Sequence, residues 1–160
     1  MSSVYRIGKI VTMAVAAVCV IGIAAVIAVG LITGGQKKGT DGLDVDLKMD
    51  EFWNEGEFDT TKCDFTVLNY SAQPLEGWRL ILDCSGSDIQ VKEPYNCTLS
   101  SEGTFLIVES TPEVAHIDGA VGKEAVVGAQ FGFKLSVPAG EKFTFGSMRI
   151  QPLAQQDSVQ

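Results

Sequence analysis

Residues 130–137 read QFGFKLSV, and this stretch decides the fold class. Every second residue is a large apolar one: Phe131, Phe133, Leu135 and Val137. Strict alternation of this kind predicts a β-strand with one face buried and the other exposed. Similar stretches are CDFTVLN, WRLILDC, TFLIVE and KFTFGSMRI, with PAGEK read as a hairpin turn between two of them. With no amphipathic helical pattern after residue 40, the sequence predicts an all-β antiparallel sandwich over 45–152, immunoglobulin-like or jelly-roll-like, with a tail at 153–160.

A long apolar segment precedes the strands. Residues 10–32, IVTMAVAAVCVIGIAAVIAVGLI, carry no charge. At ~1.5 Å rise per residue, a helix of this length crosses a hydrocarbon core of roughly 30 Å. The sequence therefore predicts a single transmembrane α-helix at 10–32, an N-terminus at 1–9 and a glycine-rich linker at 33–44. Cleavage of the segment as a signal peptide is the alternative, although signal peptides have shorter apolar regions.

Charge sets the predicted orientation and excludes one class of partner. Arg6 and Lys9 precede the apolar segment, and a strongly acidic domain follows it. The positive-inside rule then predicts a single-pass protein of the cell membrane with a cytoplasmic N-terminus and an extracellular domain. Residues 39–160 hold 8 Lys and Arg against 20 Asp and Glu. That charge repels phosphate backbones, so nucleic acid is not a predicted partner.

Trp78 is predicted to lie in the core. In WRLILDC it shares one strand face with Leu80, Leu82 and Cys84, which is the face that a sandwich buries.

Three stretches resemble family 2 carbohydrate-binding modules, the bacterial cellulose-binding domains. They are WNEGEFDTTKCDFTVLNYSAQPLEGWRLIL (53–82), IQVKEPYNCTLSSEGTFLIVES (89–110) and GAQFGFKL (128–135). The specific parts are the centre from Asn69 to Trp78 and the Phe131–Phe133 motif, and the resemblance covers roughly 50–150. It implies a β-sandwich that binds polysaccharide, cellulose-like or another β-glycan, without a cofactor.

The resemblance also implies a row of aromatic side chains on which sugar rings stack. Its first position falls on Trp53 and its second on Tyr95, whereas Ile117, or nearby His116, stands where a third ring is expected. Two other readings stay open. Trp53, with Phe52 and Phe58, could cover a sheet edge, and Tyr95 could be a buried turn residue.

The cysteines allow two interpretations. Cys63, Cys84 and Cys97 follow the apolar segment, and a disulfide between the first two is as compatible with the sequence as three free thiols. No zinc-type spacing of Cys and His occurs, because His116 is the one histidine of the chain. No metal site is predicted.

The sequence offers no catalytic signature. It has neither a nucleophile motif nor a Cys and His pair of known type, so a non-enzymatic role is predicted. One hypothesis is a membrane-anchored carbohydrate-binding protein with Trp53 and Tyr95 in its site. The alternative is a structural or protein-interaction ectodomain of an envelope complex, with a membrane or envelope protein as partner.

The predicted topology has a direct test. The chain should fractionate with membranes at full size, and protease added to intact cells should remove the part after Lys38. Protection of the domain in intact cells, with digestion only after lysis, would reverse the orientation.

Overall fold

The strands form two antiparallel sheets. The computed structural model describes residues 5–7, 42–86 and 88–153. The strands in chain order are β1 (Tyr5–Ile7), β2 (Leu43–Glu55), β3 (Phe58–Asn69), β4 (Trp78–Asp83), β5 (Ile89–Tyr95), β6 (Cys97–Glu102), β7 (Phe105–Ser110), β8 (Val126–Pro138) and β9 (Met148–Pro152). A single 3₁₀ turn at Pro112–Val114 is the only helical element of these ranges. The predicted all-β antiparallel class is confirmed.

The two sheets have the strand orders β1-β5-β8-β3-β2 and β6-β7-β4-β9. Because β8 and β9 belong to different sheets, the PAGEK segment is not the predicted hairpin turn but a crossover between sheets. Gly140 within it does adopt a positive φ of 86°. Residues 142–147 lie outside any strand, yet Phe143 and Phe145 pack against the core.

Alternation along the central strands builds the core. In β8 the four apolar residues point inward and are buried, as the sequence predicts. Phe131 stacks on Phe65 of β3 with ring centroids 5.4 Å apart. From the other sheet, Trp78 approaches Phe131 to 4.1 Å between centroids. Its indole N–H donates to the carbonyl of Val114 at 3.3 Å. Trp78 is 1% exposed, so its predicted core position is confirmed.

Asn69 ties together the loops at one end of the sandwich. Its side-chain N–H groups donate to the carbonyls of Gln73 and Asp118. Its side-chain oxygen accepts from both the backbone N–H and the hydroxyl of Ser71. Leu75 and Ile117 exchange two backbone hydrogen bonds close by. The stretch from Asn69 to Trp78 therefore holds the loops in place and belongs to the scaffold.

The three cysteines after the apolar segment are buried free thiols. Burial raises the pKa of Cys84 to about 12 and that of Cys97 to about 11. The Cys97 thiol also donates to the carbonyl of Gly132 at 3.5 Å. The structure thus has these residues as small core side chains rather than as a Cys63–Cys84 disulfide.

The described ranges contain no helix of the length and apolarity that a membrane span requires. The predicted helix at 10–32 lies outside them. β1 pairs with β5 in the register Arg6↔Gln90. A helix crossing the bilayer between residues 10 and 32 would put β1 and β5 on opposite sides. That pairing and a membrane span therefore exclude each other within one chain.

The core position of Trp78 generates a stability prediction. Trp78→Ala should lower the free energy of unfolding by about 3–5 kcal/mol, because it removes a buried aromatic ring and leaves a cavity. Chemical denaturation followed by circular dichroism measures the loss. Val121→Ala is the control: Val121 is 93% exposed, and its truncation should change stability by less than about 0.5 kcal/mol. A loss of under 1 kcal/mol for Trp78→Ala would contradict the packing described above.

Candidate functional site

The five-stranded sheet has one face packed on the core and one face turned to solvent, which we call the platform face. The inward residues of its two central strands include Cys63, Phe65, Phe131 and Phe133. The residues that alternate with them point outward. These include Thr60, Lys62 and Asp64 on β3 and, directly opposite them, Ser136, Lys134 and Gly132 on β8.

Two β-bulges turn the aromatic residues onto this face. Strict alternation from Met49, which packs on the core side, would also direct Trp53 inward. The pairing shifts by one residue between Met49 and Phe52, so Trp53 lies opposite the outward Thr60. A bulge inserts one extra residue and changes which face the following side chains occupy.

The second bulge acts on β5 in the same way. Val91 is a core residue, so alternation would direct Tyr95 to the core as well. The register instead shifts between Lys92 and Tyr95, and Glu93 takes a positive φ of 50° there. Tyr95 consequently lies opposite the outward Gly132.

Tyr95 lies across the neighbouring strand. A Cβ built on Gly132 of β8 would come within 3.0 Å of the Tyr95 ring and within 2.0 Å of the Cys63 carbonyl oxygen, so only glycine fits beneath the ring. The hydroxyl reaches one strand further and donates to Asp64 of β3 at 2.5 Å. Burial, and then the hydrogen bond to the Asp64 carboxylate, raise the pKa of Tyr95. At neutral pH the phenol therefore stays a donor.

The Trp53 ring extends from edge strand β2 toward the middle of the platform face. Its indole N–H donates to Glu55 at 2.7 Å. The ammonium of Lys134, two strands away on β8, lies 5.7 Å from the ring centroid. Thr60 and Ser136 share a hydrogen bond of 2.8 Å on the platform face, and both are buried although the face is solvated. Trp53 lies directly opposite Thr60 on the neighbouring strand.

The two aromatic residues are related by position. Trp53 and Tyr95 are separated by three strand steps across the sheet and four residues along it, or about 20 Å between their Cα atoms at ~4.8 Å per strand and ~3.3 Å per residue. Both rings lean toward the middle of the face, and both are partly exposed. Gly132 lies beneath the Tyr95 ring, and Thr60 lies opposite Trp53.

Each ring is held by one carboxylate and one lysine. Glu55 accepts from Trp53, and the Lys134 ammonium lies over that ring. Asp64 accepts from Tyr95, and the Lys62 ammonium lies 5.7 Å from its centroid. The hydrogen bond from Trp53, and then the attraction of nearby lysines, lower the pKa of Glu55. Glu55 is therefore ionised at neutral pH and fixes the orientation of the indole.

The structure brings the two predicted site residues onto one face, whereas Ile117, which stands where the resemblance expects a third ring, does not join them. Trp53 and Tyr95 share one face, and Tyr95 is not a buried turn residue. Ile117 is 3% exposed and packs in the core. Sugar binding by the two rings stays a prediction. Within 42–86 and 88–153, no group of three His, Cys, Asp or Glu side chains is arranged to hold a metal ion.

Sequence reasoning missed the polar partners of the rings. Asp64 and Lys134 were readable as outward residues from the alternation in CDFTVLN and QFGFKLSV, and Lys62 stands directly before the first stretch. What no pattern indicated was that these strands are neighbours in one sheet. The bulges that bring Trp53 and Tyr95 to the same face were also invisible, because each one interrupts the period that identifies a strand.

Comparisons with known proteins bear on the fold alone. No protein-family model matches the chain, and no curated protein matches it. One similar solved structure is the chitin-binding domain of Chi18aC from Streptomyces coelicolor, with 17% identity over 70% of this chain and 92% of that one, at a TM-score of 0.47. Another is the chitin-binding domain of a chitinase from Pyrococcus furiosus, with 14% identity over 69% and 94%, at 0.43. Identities and scores this low carry no function over to this chain.

His116 lies away from the platform face, in the loop that precedes β8. One ring nitrogen lies 2.9 Å from a Glu76 oxygen and the other 3.2 Å from an Asp118 oxygen. Both nitrogens donate only when the ring is protonated. The hydrogen bonds to Asp118 and then to Glu76 raise the pKa of His116. The residue is therefore a link between two loops.

A pH titration tests this link. The His116 ring should titrate above its ordinary pKa of about 6.5 in the folded protein and near that value in denaturant. The link stabilises the fold below about pH 6.5 and is lost as pH rises through the folded-state pKa. NMR of the ring protons measures the midpoint. Asp118→Asn and Glu76→Gln should each lower it, and a midpoint at or below about 6.5 in the unmutated chain would exclude the ion pairs.

Proposed function

We propose that this chain is a non-catalytic carbohydrate-binding protein whose platform face takes a polysaccharide. The observation that carries the proposal is the pair of bulges, which turn Trp53 and Tyr95 away from the core and onto one face of the sheet. Apolar aromatic side chains gain stability by burial. Two β-bulges that expose such side chains to solvent are explained by a ligand that covers the rings when it binds.

Stacking is the mechanism that the geometry supports. A pyranose ring has apolar C–H faces that pack on a flat aromatic ring, while its hydroxyls need hydrogen-bond partners at the rim. Such partners lie beside the rings or beside a lysine that lies over one of them. Lys62 and Lys134 are donors, and Glu55 and Glu93 are acceptors. Because the rings are already held by hydrogen bonds and ammonium contacts, little side-chain freedom is lost when a ligand binds.

The carboxylates of this face serve the rings rather than a reaction. Glu55 accepts from the Trp53 indole, and Asp64 accepts from the Tyr95 phenol while its other oxygen lies 3.1 Å from the Lys62 ammonium. A glycosidase instead needs two carboxyl groups directed at opposite sides of one sugar bond. This arrangement of carboxylates is suited to binding a glycan rather than to cleaving it.

The proposal extends to the cell surface. We place the domain outside the cell, held near the membrane by a span at 10–32. In that state β1 does not pair with β5, and the linker at 33–44 would let the domain reach an adjacent polysaccharide. A cellulose-like or other β-glycan is the ligand that the sequence resemblance implies. Support for this part is the uncharged apolar segment and the family resemblance.

Substitutions of the two rings test the proposal. Trp53→Ala and Tyr95→Ala should each weaken retention on a polysaccharide roughly five- to tenfold, the effect of losing one stacking contact of about 1 kcal/mol. Affinity electrophoresis against a panel of glycans measures retention, and thermal denaturation measures stability. Both variants should stay folded, because the rings lie outside the core.

Two controls separate binding from folding. Tyr95→Phe keeps the ring and removes the hydrogen bond to Asp64, so it should bind better than Tyr95→Ala. Trp78→Ala should lose stability first and binding only as a consequence. If no glycan retains the unmutated chain, or if Trp53→Ala unfolds it as Trp78→Ala does, glycan binding is wrong. The interaction-ectodomain hypothesis, favoured by the core position of Ile117, would then stand.

A further inference from the structure

Three lysines form a row across the platform face. Lys62 on β3 lies directly opposite Lys134 on β8, and Lys134 lies directly opposite Lys92 on β5. Neighbouring strands are only ~4.8 Å apart, and like charges opposite each other destabilise a sheet. A carboxylate near each ammonium, Asp64, Glu93 or Glu55, offsets this repulsion, so the row is compatible with the fold.

The row lies between the two aromatic rings. Trp53 is in register with Thr60, two residues from Lys62 in one direction along β3. Tyr95 is in register with Gly132, two residues from Lys134 in the other direction along β8. A polysaccharide chain that stacks on both rings must therefore cross the lysine row between them.

The ammonium groups retain donors for such a ligand. Each carries three N–H donors and no acceptor. Carboxylates occupy only part of this capacity: Lys134 lies 2.6 Å from Glu93, Lys62 3.1 Å from Asp64, and Lys92 3.9 Å from Glu55. The three lysine side chains are 26–37% exposed. Glu93 is 59% exposed at the bulge, so a ligand anion can replace it.

The distribution of charge restricts where an anionic ligand could bind. Residues 39–160 contain 8 basic residues against 20 acidic ones. Three of those eight stand in this one row. A polyanion is repelled by most of such a domain, so long-range attraction does not account for its binding. Any binding that does occur has to come from a local arrangement of positive charge.

We propose, on the basis of the proposed glycan-binding function, that the platform takes an anionic polysaccharide with its carboxylate or sulfate groups over the lysine row. The stacked sugars lie on Trp53 and Tyr95, and the acidic groups accept hydrogen bonds from Lys62, Lys134 and Lys92. Charge-assisted hydrogen bonds of this kind are stronger than neutral ones. The row thus selects acidic over neutral glycans.

Matched ligands test the proposal on the full-length chain in detergent. Carboxymethyl-cellulose is compared with neutral hydroxyethyl-cellulose, and cellulose sulfate with the same neutral polymer. Cellulose and chitin serve as neutral β-glycans. The acidic member of at least one pair should retain the chain about fivefold or more better than its neutral counterpart. The first pair isolates a carboxylate and the second a sulfate. Retention should weaken as NaCl rises from 0.05 to about 0.5 M, because salt screens exposed charges.

Lys92 gives the cleanest variant, since its ammonium is near Glu55 rather than over a ring. Lys92→Gln should reduce retention on the acidic glycan about fivefold and leave retention on neutral glycans unchanged. Lys92→Arg keeps the charge and should restore binding. Lys123→Gln, in the exposed loop before β8, is the matched control and should have no effect.

The outcomes separate the two proposals. Equal or better retention on the neutral member of both pairs would overturn the anionic specificity and leave glycan binding intact. An unchanged acidic-glycan retention in Lys92→Gln would likewise overturn it. If neither acidic nor neutral glycans retained the chain, the proposed glycan-binding function itself would be wrong.

Discussion

The contact between Trp78 and Phe131 joins the two sheets, and the rest of the structure depends on it. The rings come from different sheets, and their centroids are 4.1 Å apart. Phe131 also stacks on Phe65, so the contact extends through the central strands of the five-stranded sheet. Once Phe131 faces inward, the period of two residues fixes the direction of the side chains on β8 from Gln130 to Val137. Gly132 and Lys134 must then face solvent.

The platform is made by departures from that same period. Edge strand β2 and strand β5 each follow the alternation as far as the core needs it, through Met49 and Val91. Each then inserts an extra residue before its aromatic side chain. Next to the aromatic side chains, the central strands β3 and β8 carry small residues. Gly132 among them leaves room for the Tyr95 ring above its Cα. The platform face therefore depends both on the regular alternation of the central strands and on the bulges of β2 and β5.

This division explains which features were predictable from the sequence. Alternation identified the strands, the all-β class and the buried face of Trp78, because burial of one sheet face leaves a regular pattern. It failed at PAGEK, where a turn-like segment joins different sheets, and it gave no indication of the lysine row. Lys92 and Lys134 are far apart in sequence, and the pairing of β5 with β8 is a tertiary choice. The ring positions came from the family resemblance rather than from the pattern.

The two rings are held by the same kinds of contact on opposite sides of the platform face. A carboxylate accepts from the polar end of each ring, and a lysine from a central strand lies over it. These contacts fix the rings, but they also place ammonium groups at the centre of the surface that a ligand must cross. The charges that orient the aromatic groups are consequently the charges that a ligand meets. Preorganisation and selectivity of the platform then have one physical origin, because removing a lysine changes both the freedom of a ring and the potential above it.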